Sequence, residues 1–408
     1  WISAPGLAPT RIKQQVRLID FVPTVLSIMH VKAAASWDGV VLPSGAGQAA
    51  VLESLFPQLQ LGWSPLTAVR TGEWKYIEAP RPELYDLVRD PDEGSNLVEK
   101  RVDVAKKLKA MLPASAPAAP SKIDPEVAER LASLGYVGGG AGGAGSGADP
   151  KDRIAIWNEI EKAVDLEKSD SAGAIKVLES ARTADPGNPM VLNMLAERYA
   201  DAGRSKDAEQ ILSGILKQNP GNTLALARMA HLQLRAKHPA EARKIAETLL
   251  KADPGGVEAH LVAAQACLSL KDAACATAHL EGALTVDPLD HETRNDLGNL
   301  YLQQGKPAAA VQEFNRVLQK DPQNLQSLNG LATEAYQGKR YGECEGILQK
   351  ALKIRKDDTQ TRMNLALLYS QTDRVPQAID LYQKIIADAQ TPGDWKTEAT
   401  ARLKELQP

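Results

Sequence analysis

The chain has 408 residues, with 48 Lys and Arg against 51 Asp and Glu, a net charge of −3 and 43% apolar residues. That length allows two or more cores, while so even a charge balance excludes the basic surface that nucleic acid or an anionic membrane requires. Apolar runs stay well short of the roughly 18 residues a helical membrane span needs.

The chain opens at Trp1, inside an apolar stretch and without a charged n-region followed by an apolar h-region, so a piece of a longer polypeptide is expected. Residues 1–112 hold 13 basic and 12 acidic residues and read as mixed α and β. Asp20 to Val31, DFVPTVLSIMHV, has the apolar spacing of a helix entered through Pro23 and Thr24. From Leu66 the pattern changes to short strands broken by turn residues: LTAVR, Thr71-Gly72-Glu73, WKYIEA, Pro80 to Pro82, ELYDL. This predicts a small antiparallel sheet, with an amphipathic helix from Val102 to Leu112 over one face. Asp20, Asp38, Asp86 and Asp90 read as helix-entry and turn residues.

Residues 113–150 shift to Ala, Pro, Ser and Gly. One short helix, Asp124 to Val137, is expected there, capped by Asp124, opened by Pro125 and ended by Gly135. The GGGAGGAGSGAD that follows has the composition of a flexible coil, which predicts two regions tethered rather than fused unless Leu131, Leu134 and Tyr136 dock.

From 151 to 392, helix follows helix. Seven small residues recur 34 positions apart: Ala174, Ala208, Ala242, Ala276, Ala310, Cys344 and Ala378. Twelve residues behind the first five stand Pro186, Pro220, Pro254, Pro288 and Pro322, each after Asp or Asn. Such a period is one helix-turn-helix unit of a solenoid, and stacked units make an extended groove rather than a catalytic pocket. With Pro at position 32, the units run 155–188, 189–222, 223–256, 257–290, 291–324, 325–358 and 359–392. Small residues at positions 8 and 20 let paired helices approach closely, and Asp-Pro or Asn-Pro stops the second helix. Gly203, Gly305 and Gly338 fall at the turn where a residue of positive φ ends the first helix. Repeat 1 fits better when its first helix slides by one residue, bringing in Ala163 and Leu166 for Lys162 and Asp165. Lys356 stands where repeat 6 should have Pro, which predicts a longer second helix. Residues 393–408, with WKTEATARLKEL from Trp395 to Leu406, read as a C-terminal capping helix.

Cys267, Cys275 and Cys344 lie within predicted helices, and neither a disulfide framework nor a C-x-x-C spacing is read from them. His231, His260, His279 and His291 read as lying on separate repeats without ligand spacing. No metal, cofactor or catalytic residue is therefore expected.

These units resemble the tetratricopeptide repeat. Repeat 5 meets its pattern most fully, with Leu297, Gly298, Tyr301, Ala310, Phe314 and Pro322. The resemblance implies a mainly α fold: a superhelical α-solenoid following a small α+β subdomain with an antiparallel sheet. It further implies a concave groove lined by the first helices, whose candidates are Asn193, Glu197, Arg228, His231, Arg235, Asn295, Asn299, Asn329, Tyr336 and Asn364, with Asp296 and Gln371 beside them. Amide side chains both donate to and accept from a peptide backbone, so a protein or peptide ligand is expected. Paired Lys and Asn that grip a terminal carboxylate in some family members are missing.

A second resemblance lies in residues 1–112. ISAPG at Ile2 to Gly6, then VRLIDFVPTVLSIMHV, WDGVVL, VRTGEWKYIEAP and ELYDLVRDPDEGSNLV are similar to the closing part of a sulfatase-type hydrolase of the alkaline phosphatase superfamily. RLASLGYVGG after it resembles the junction by which such hydrolases carry repeat arrays. The resemblance implies, for a complete parent, a formylglycine and a calcium-type divalent cation, with a periplasmic or other extracytoplasmic location if it is exported. The chain has no C-x-P-x-R motif and no His followed by Gly, so the part in hand is expected to bind rather than catalyse. The alternative is a fragment of an active sulfatase or phosphoesterase whose repeats localise it or present substrate.

Overall fold

The structure, a computed structural model, describes residues 12–32, 39–42, 47–113 and 146–406. The expected helix at 124–137, the docking residues Leu131, Leu134 and Tyr136, the ISAPG segment, the RLASLGYVGG junction and Asp38 lie outside the described residues. The chain divides into two compact units, Trp1–Ala225 and Leu226–Pro408.

The first unit begins with a 3₁₀ turn, Leu18–Asp20, leading into α1, Phe21–Ile28. Asp20 is buried, and its carboxylate accepts from the backbone N–H of Arg17 and of Val40, at 2.9 and 3.0 Å. The Arg17 guanidinium, 2.8 Å away, holds that carboxyl below its ordinary range. A four-stranded antiparallel sheet follows, ordered β1-β2-β3-β4: β1 Ala50–Ser54, β2 Leu66–Arg70, β3 Trp74–Glu78 and β4 Glu83–Asp86. Register sets Val69 beside Tyr76 and Tyr76 beside Leu84, a buried row across three strands. Helix α3, Val102–Lys109, lays Ala105 and Leu108 on that row. Each large side chain so buried contributes about 1.5–3 kcal/mol.

Two elements escaped the sequence reading: β1, and α2 at Phe56–Leu61. The β1 sequence AVLES lacks apolar alternation, and its last four residues stay exposed. Pairing with the edge of β2 makes it a strand.

Helices α4 Ile154–Leu166, α5 Ser171–Ala184, α6 Pro189–Asp201 and α7 Ser205–Gln218 complete the unit. Ala163 is buried and Lys162 exposed, so the slid register of repeat 1 is the observed one. The expectation of a mere tether is corrected here. Trp63 is buried, and its indole Nε1–H donates to Asp185 Oδ2 at 2.8 Å, at the end of α5. A buried indole needs an acceptor, and the Asp of the Asp-Pro turn supplies one. Phe56 meets Trp157 edge to face at 5.7 Å, Ser64 N–H donates to Ala148 O at 2.9 Å, and Lys151 pairs with Glu83 at 2.7 Å. Residues 147–157 and the end of α5 therefore pack against the sheet region.

From α8, Thr223–Arg235, the pairs continue with α9 Pro239–Ala252, α10 Val257–Ser269, α11 Ala273–Val286 and α12 His291–Gln303. Then come α13 Pro307–Lys320, α14 Leu325–Gln337, α15 Tyr341–Ile354, α16 Thr359–Gln371, α17 Val375–Ala387 and α18 Gly393–Leu406. First helices start at residues 189, 223, 257, 291, 325 and 359, a strict 34-residue step. The position before them supplies the cap: the side chains of Asn188, Asp290, Asn324 and Asp358 accept from backbone N–H groups of the new first turn. Each such cap is worth about 1 kcal/mol.

Two details differ from expectation. Positive φ falls at the fifteenth residue of the second to seventh units, at Gly203, Lys237, Lys271, Gly305, Lys339 and Asp373. Gly338 precedes that place by one and has φ −75°. Second, α15 ends at Ile354 after 14 residues, the length of α13, although Lys356 replaces Pro. The Asp358 cap of α16 enforces the stop, because its carboxylate takes the Thr361 N–H at 3.0 Å.

The seven small residues of the ladder are all buried. Phe314 shows why glycine also appears: a Cβ on Gly298 or Gly330 would lie 2.6 or 2.4 Å from its ring. A polar device recurs beside this packing. Tyr199, Tyr301 and Tyr369 donate to Glu179, Glu281 and Glu345 at 2.7, 2.7 and 3.0 Å. Arg204, Lys306 and Arg374 lie over the same rings. Burial, then the neighbouring carboxylate, pushes the Tyr199 and Tyr301 hydroxyls up to about 12. At the far end α18 buries Ala399 against Tyr382 and Ile385 of α17, with Trp395 and Leu403 packed around them.

Candidate functional site

The first-helix residues singled out for a groove divide into three kinds. In the first unit, Asn193 donates to Pro189 O at 2.9 Å, and Glu197 pairs with Arg198 at 2.9 Å. In the second unit, the exposed His231 ring lies 2.6 Å from Glu258 and holds that carboxyl below its ordinary range. Arg228 is half-buried and Arg235 exposed. Tyr336 stacks obliquely on Tyr341 at 5.9 Å, and burial raises its hydroxyl pKa.

The asparagines are the informative group. Asn295 and Asn329 are only 1% and 2% exposed. Asn295 accepts from the Ser327 hydroxyl at 2.5 Å and donates to Asn324 Oδ1 at 3.2 Å. Asn329 donates to the Thr361 hydroxyl at 2.9 Å and accepts from Asn364 Nδ2 at 2.9 Å. Their amides therefore bridge successive repeats, which corrects the expectation of an open groove residue for Asn295, while Asn329 also lines the depression described next. An unpaired buried amide is costly, so an amide on the inner turn pairs with the next repeat.

Asn299 remains half-buried and faces a depression of about 250 Å³ that it lines with Gln326, Asn329, Thr333, Arg355 and Gln360. Of the polar groups that line it, Arg355 only donates and Asp358 only accepts, while the amides and the Thr333 hydroxyl do both. Gln326, Thr333 and Gln360 were missed by the sequence reading. The signal that could have found them is the same 34-residue step, since Gln326 and Gln360 are one period apart.

Positions where a large apolar residue is common instead carry polar pairs between the two helices of a repeat or toward the next turn. Arg294 meets Glu313 at 2.6 Å, Arg362 meets Asp388 at 3.2 Å, and His260 Nδ1 lies 3.3 Å from His279 Nδ1. Burial lowers the pKa of both histidines. His260 and His279 belong to one repeat, which corrects their assignment to separate ones. Nor are the cysteines unpaired: Cys267 and Cys275 form a disulfide across the α10–α11 turn, their Cα atoms 5.8 Å apart. An eight-residue spacing has no meaning on one helix, but across a helical hairpin it brings the two residues face to face. Cys344 is a buried thiol pushed up to about 11 by burial.

In the sheet region, Asp86, Asp90 and Asn96 close turns. Asp86 accepts from Val88 and Arg89 N–H, Asp90 from Gly94 and Ser95 N–H, and Asn96 from Leu84 and Val98 N–H. These bonds occupy the side chains that give ELYDLVRDPDEGSNLV its pattern. None of the three cysteines begins a C-x-P-x-R motif, so none of them fits as the precursor of a formylglycine.

Residues 165–227, 201–266 and 267–334 match the tetratricopeptide repeat family. A tetratricopeptide repeat protein from Parabacteroides merdae ATCC 43184 has a similar structure, with TM-score 0.52 and 18% identity. The match covers 62% of this chain and all of that one, a likeness of fold. The N-terminal region is similar to sulfatases. Arylsulfatase K of Bos taurus is 28% identical over 124 residues, 26% of this chain and 23% of that protein. Choline-sulfatase of Rhizobium meliloti (strain 1021) is 32% identical over 105 residues, 24% of this chain and 20% of that protein. The chain thus spans about a fifth of the length of the curated relatives it matches. Among the described residues no helix is long and apolar enough to cross a membrane.

Proposed function

We propose that this chain, a tetratricopeptide array preceded by a sulfatase-like segment, is a scaffold that binds an extended peptide or protein segment on the first helices of its last three repeats. The observation that carries this reading is the polar depression around Asn299, Gln326, Thr333 and Gln360. Its side chains match the alternating donors and acceptors of an extended backbone, and they lie beside an inner Asn ladder that holds the repeats in place. The test is selection of peptides from a random display library on the full chain, followed by titration of the best binder. Replacing Asn299 and Thr333 together with Ala should weaken it at least tenfold with an unchanged melting midpoint. Equal affinity for both forms would sink the proposal.

A second reading concerns the sheet region. Leu18 is 90% exposed, and Phe21, Val22, Val51 and Leu52 are each about half exposed. That much apolar surface favours a further part of a sulfatase-like polypeptide as its cover. The repeats would then localise a hydrolase of sulfate or phosphate esters or present substrate to it, and this chain alone would be inert. Turnover of an aryl sulfate or aryl phosphate by the chain itself would contradict the claim of inertness.

A further inference from the structure

The fourth repeat, α10 with α11, carries a cluster that peptide binding does not use. His260 and Cys267 are seven residues apart on α10, and Cys275 and His279 are four apart on α11, so each pair lies along one helical face. The two faces meet. Ligand atoms of Cys267, Cys275 and His279 all lie within 4.8 Å of one another; His260 is outside that set, but its Nδ1 is 3.3 Å from Nδ1 of His279. Tetrahedral zinc with arms of about 2.0–2.1 Å to nitrogen and 2.3 Å to sulfur separates its nitrogens by roughly 3.3–3.4 Å and its sulfurs by roughly 3.8 Å. The imidazole pair already has that nitrogen spacing. Gly282 makes the room for it: a Cβ there would stand 2.5 Å from the His260 ring. Cys267 is fully buried while Cys275, His260 and His279 are half-buried, so the cluster is shielded on one side and open on the other.

We propose that Cys267, Cys275 and His279, with His260 as the fourth ligand, form a redox-gated site for one zinc-class divalent cation. The dithiol form binds the ion through two thiolates and two neutral imidazoles. In the disulfide form the sulfurs are bonded to each other and carry no charge for the metal. The oxidant is a small-molecule disulfide. Each thiolate gives up one electron, the Cys267–Cys275 bond forms, the reagent's S–S bond breaks, its two sulfurs take up two protons and leave as thiols, and the ion is released. Three of the four ligands are half-buried rather than sealed in, so exchange does not require the repeat to unfold.

The test is anaerobic titration of the full chain with Co²⁺, reduced by a phosphine or oxidised by a small disulfide, with Zn²⁺ as competitor. The reduced chain should take up one equivalent with a sulfur-to-cobalt charge-transfer band and tetrahedral d–d absorption. The oxidised chain should bind at least 100-fold more weakly. Cys275→Ser and His279→Ala should lose the band while keeping the helical circular dichroism, His260→Ala should bind at least tenfold more weakly, and Cys344→Ser should bind normally. Cobalt uptake without the band, or equal affinity in the oxidised chain or in Cys275→Ser, overturns the site. Unchanged affinity in His260→Ala overturns the fourth ligand.

Discussion

The sheet region and the repeat array use the same kinds of polar side chain for opposite ends. In the sheet region Asp86, Asp90 and Asn96 satisfy backbone groups at most 14 residues away, closing turns around a compact core of Val69, Tyr76 and Leu84. In the array, Asn295 and Asn329 reach partners 29 to 35 residues away, and Tyr301 and Tyr369 reach 20 and 24. A solenoid has no central core in which distant segments meet, so neighbouring repeats cohere through a thin seam of small residues with directional bonds across it. What is a local turn device in one region becomes the long-range fastening of the other.

The sharpest way to break this contrast is at Phe314. Replacing it with Ala should cost about 3–5 kcal/mol, because Gly298 and Gly330 leave a ring-shaped space that no neighbour fills. Denaturant unfolding would measure it, and a loss below 1 kcal/mol would mean the two glycines do not cradle the ring. Next, Asn329→Ala removes a donor and an acceptor at once, leaving Thr361 and Asn364 short of a partner, for about 1–3 kcal/mol. The corresponding Asn299→Ala should fall within about 0.5 kcal/mol, since Asn299 lines an open depression. Equal destabilisation by both would erase the distinction between seam and groove.

Ala310→Leu, overpacking a fully buried position, should cost about 1–3 kcal/mol, and an unchanged melting midpoint would count against the repeat register. Trp63→Phe tests the seam between the sheet region and the first repeat. It keeps an aromatic ring, though a smaller one, but leaves the Asp185 carboxylate without the indole N–H, for about 1–3 kcal/mol. Faster proteolytic separation of residues 47–113 from the first repeats is the expected readout. The smallest effect is a gain. Lys339→Gly, at a left-handed position that its sister units fill with Gly203 and Gly305, should stabilise by about 0.5–1 kcal/mol.

Much of this was legible from periodicity. A 34-residue step in small residues, with Asn or Asp before every first helix from residue 189 on except the one after Gly256, determines where helices begin and which residues face inward. Both follow from local rules, capping and steric approach, that repeat with the chain. The pattern ELYDLVRDPDEGSNLV likewise spelled out turns, because Asp and Asn close them on adjacent backbone. Only the tertiary structure decided which polar residues of the first helices are used up in holding repeats together. Asn295 and Asn299 look alike along the chain, yet one hydrogen-bonds inside the seam and the other faces a depression. It also decided that AVLES pairs as a strand, that Trp63 fastens the sheet region to Asp185, and that Cys267, Cys275 and His279 converge with His260 beside His279. Each of those outcomes depends on what a second segment presents at a given distance, and no spacing within one segment carries that information.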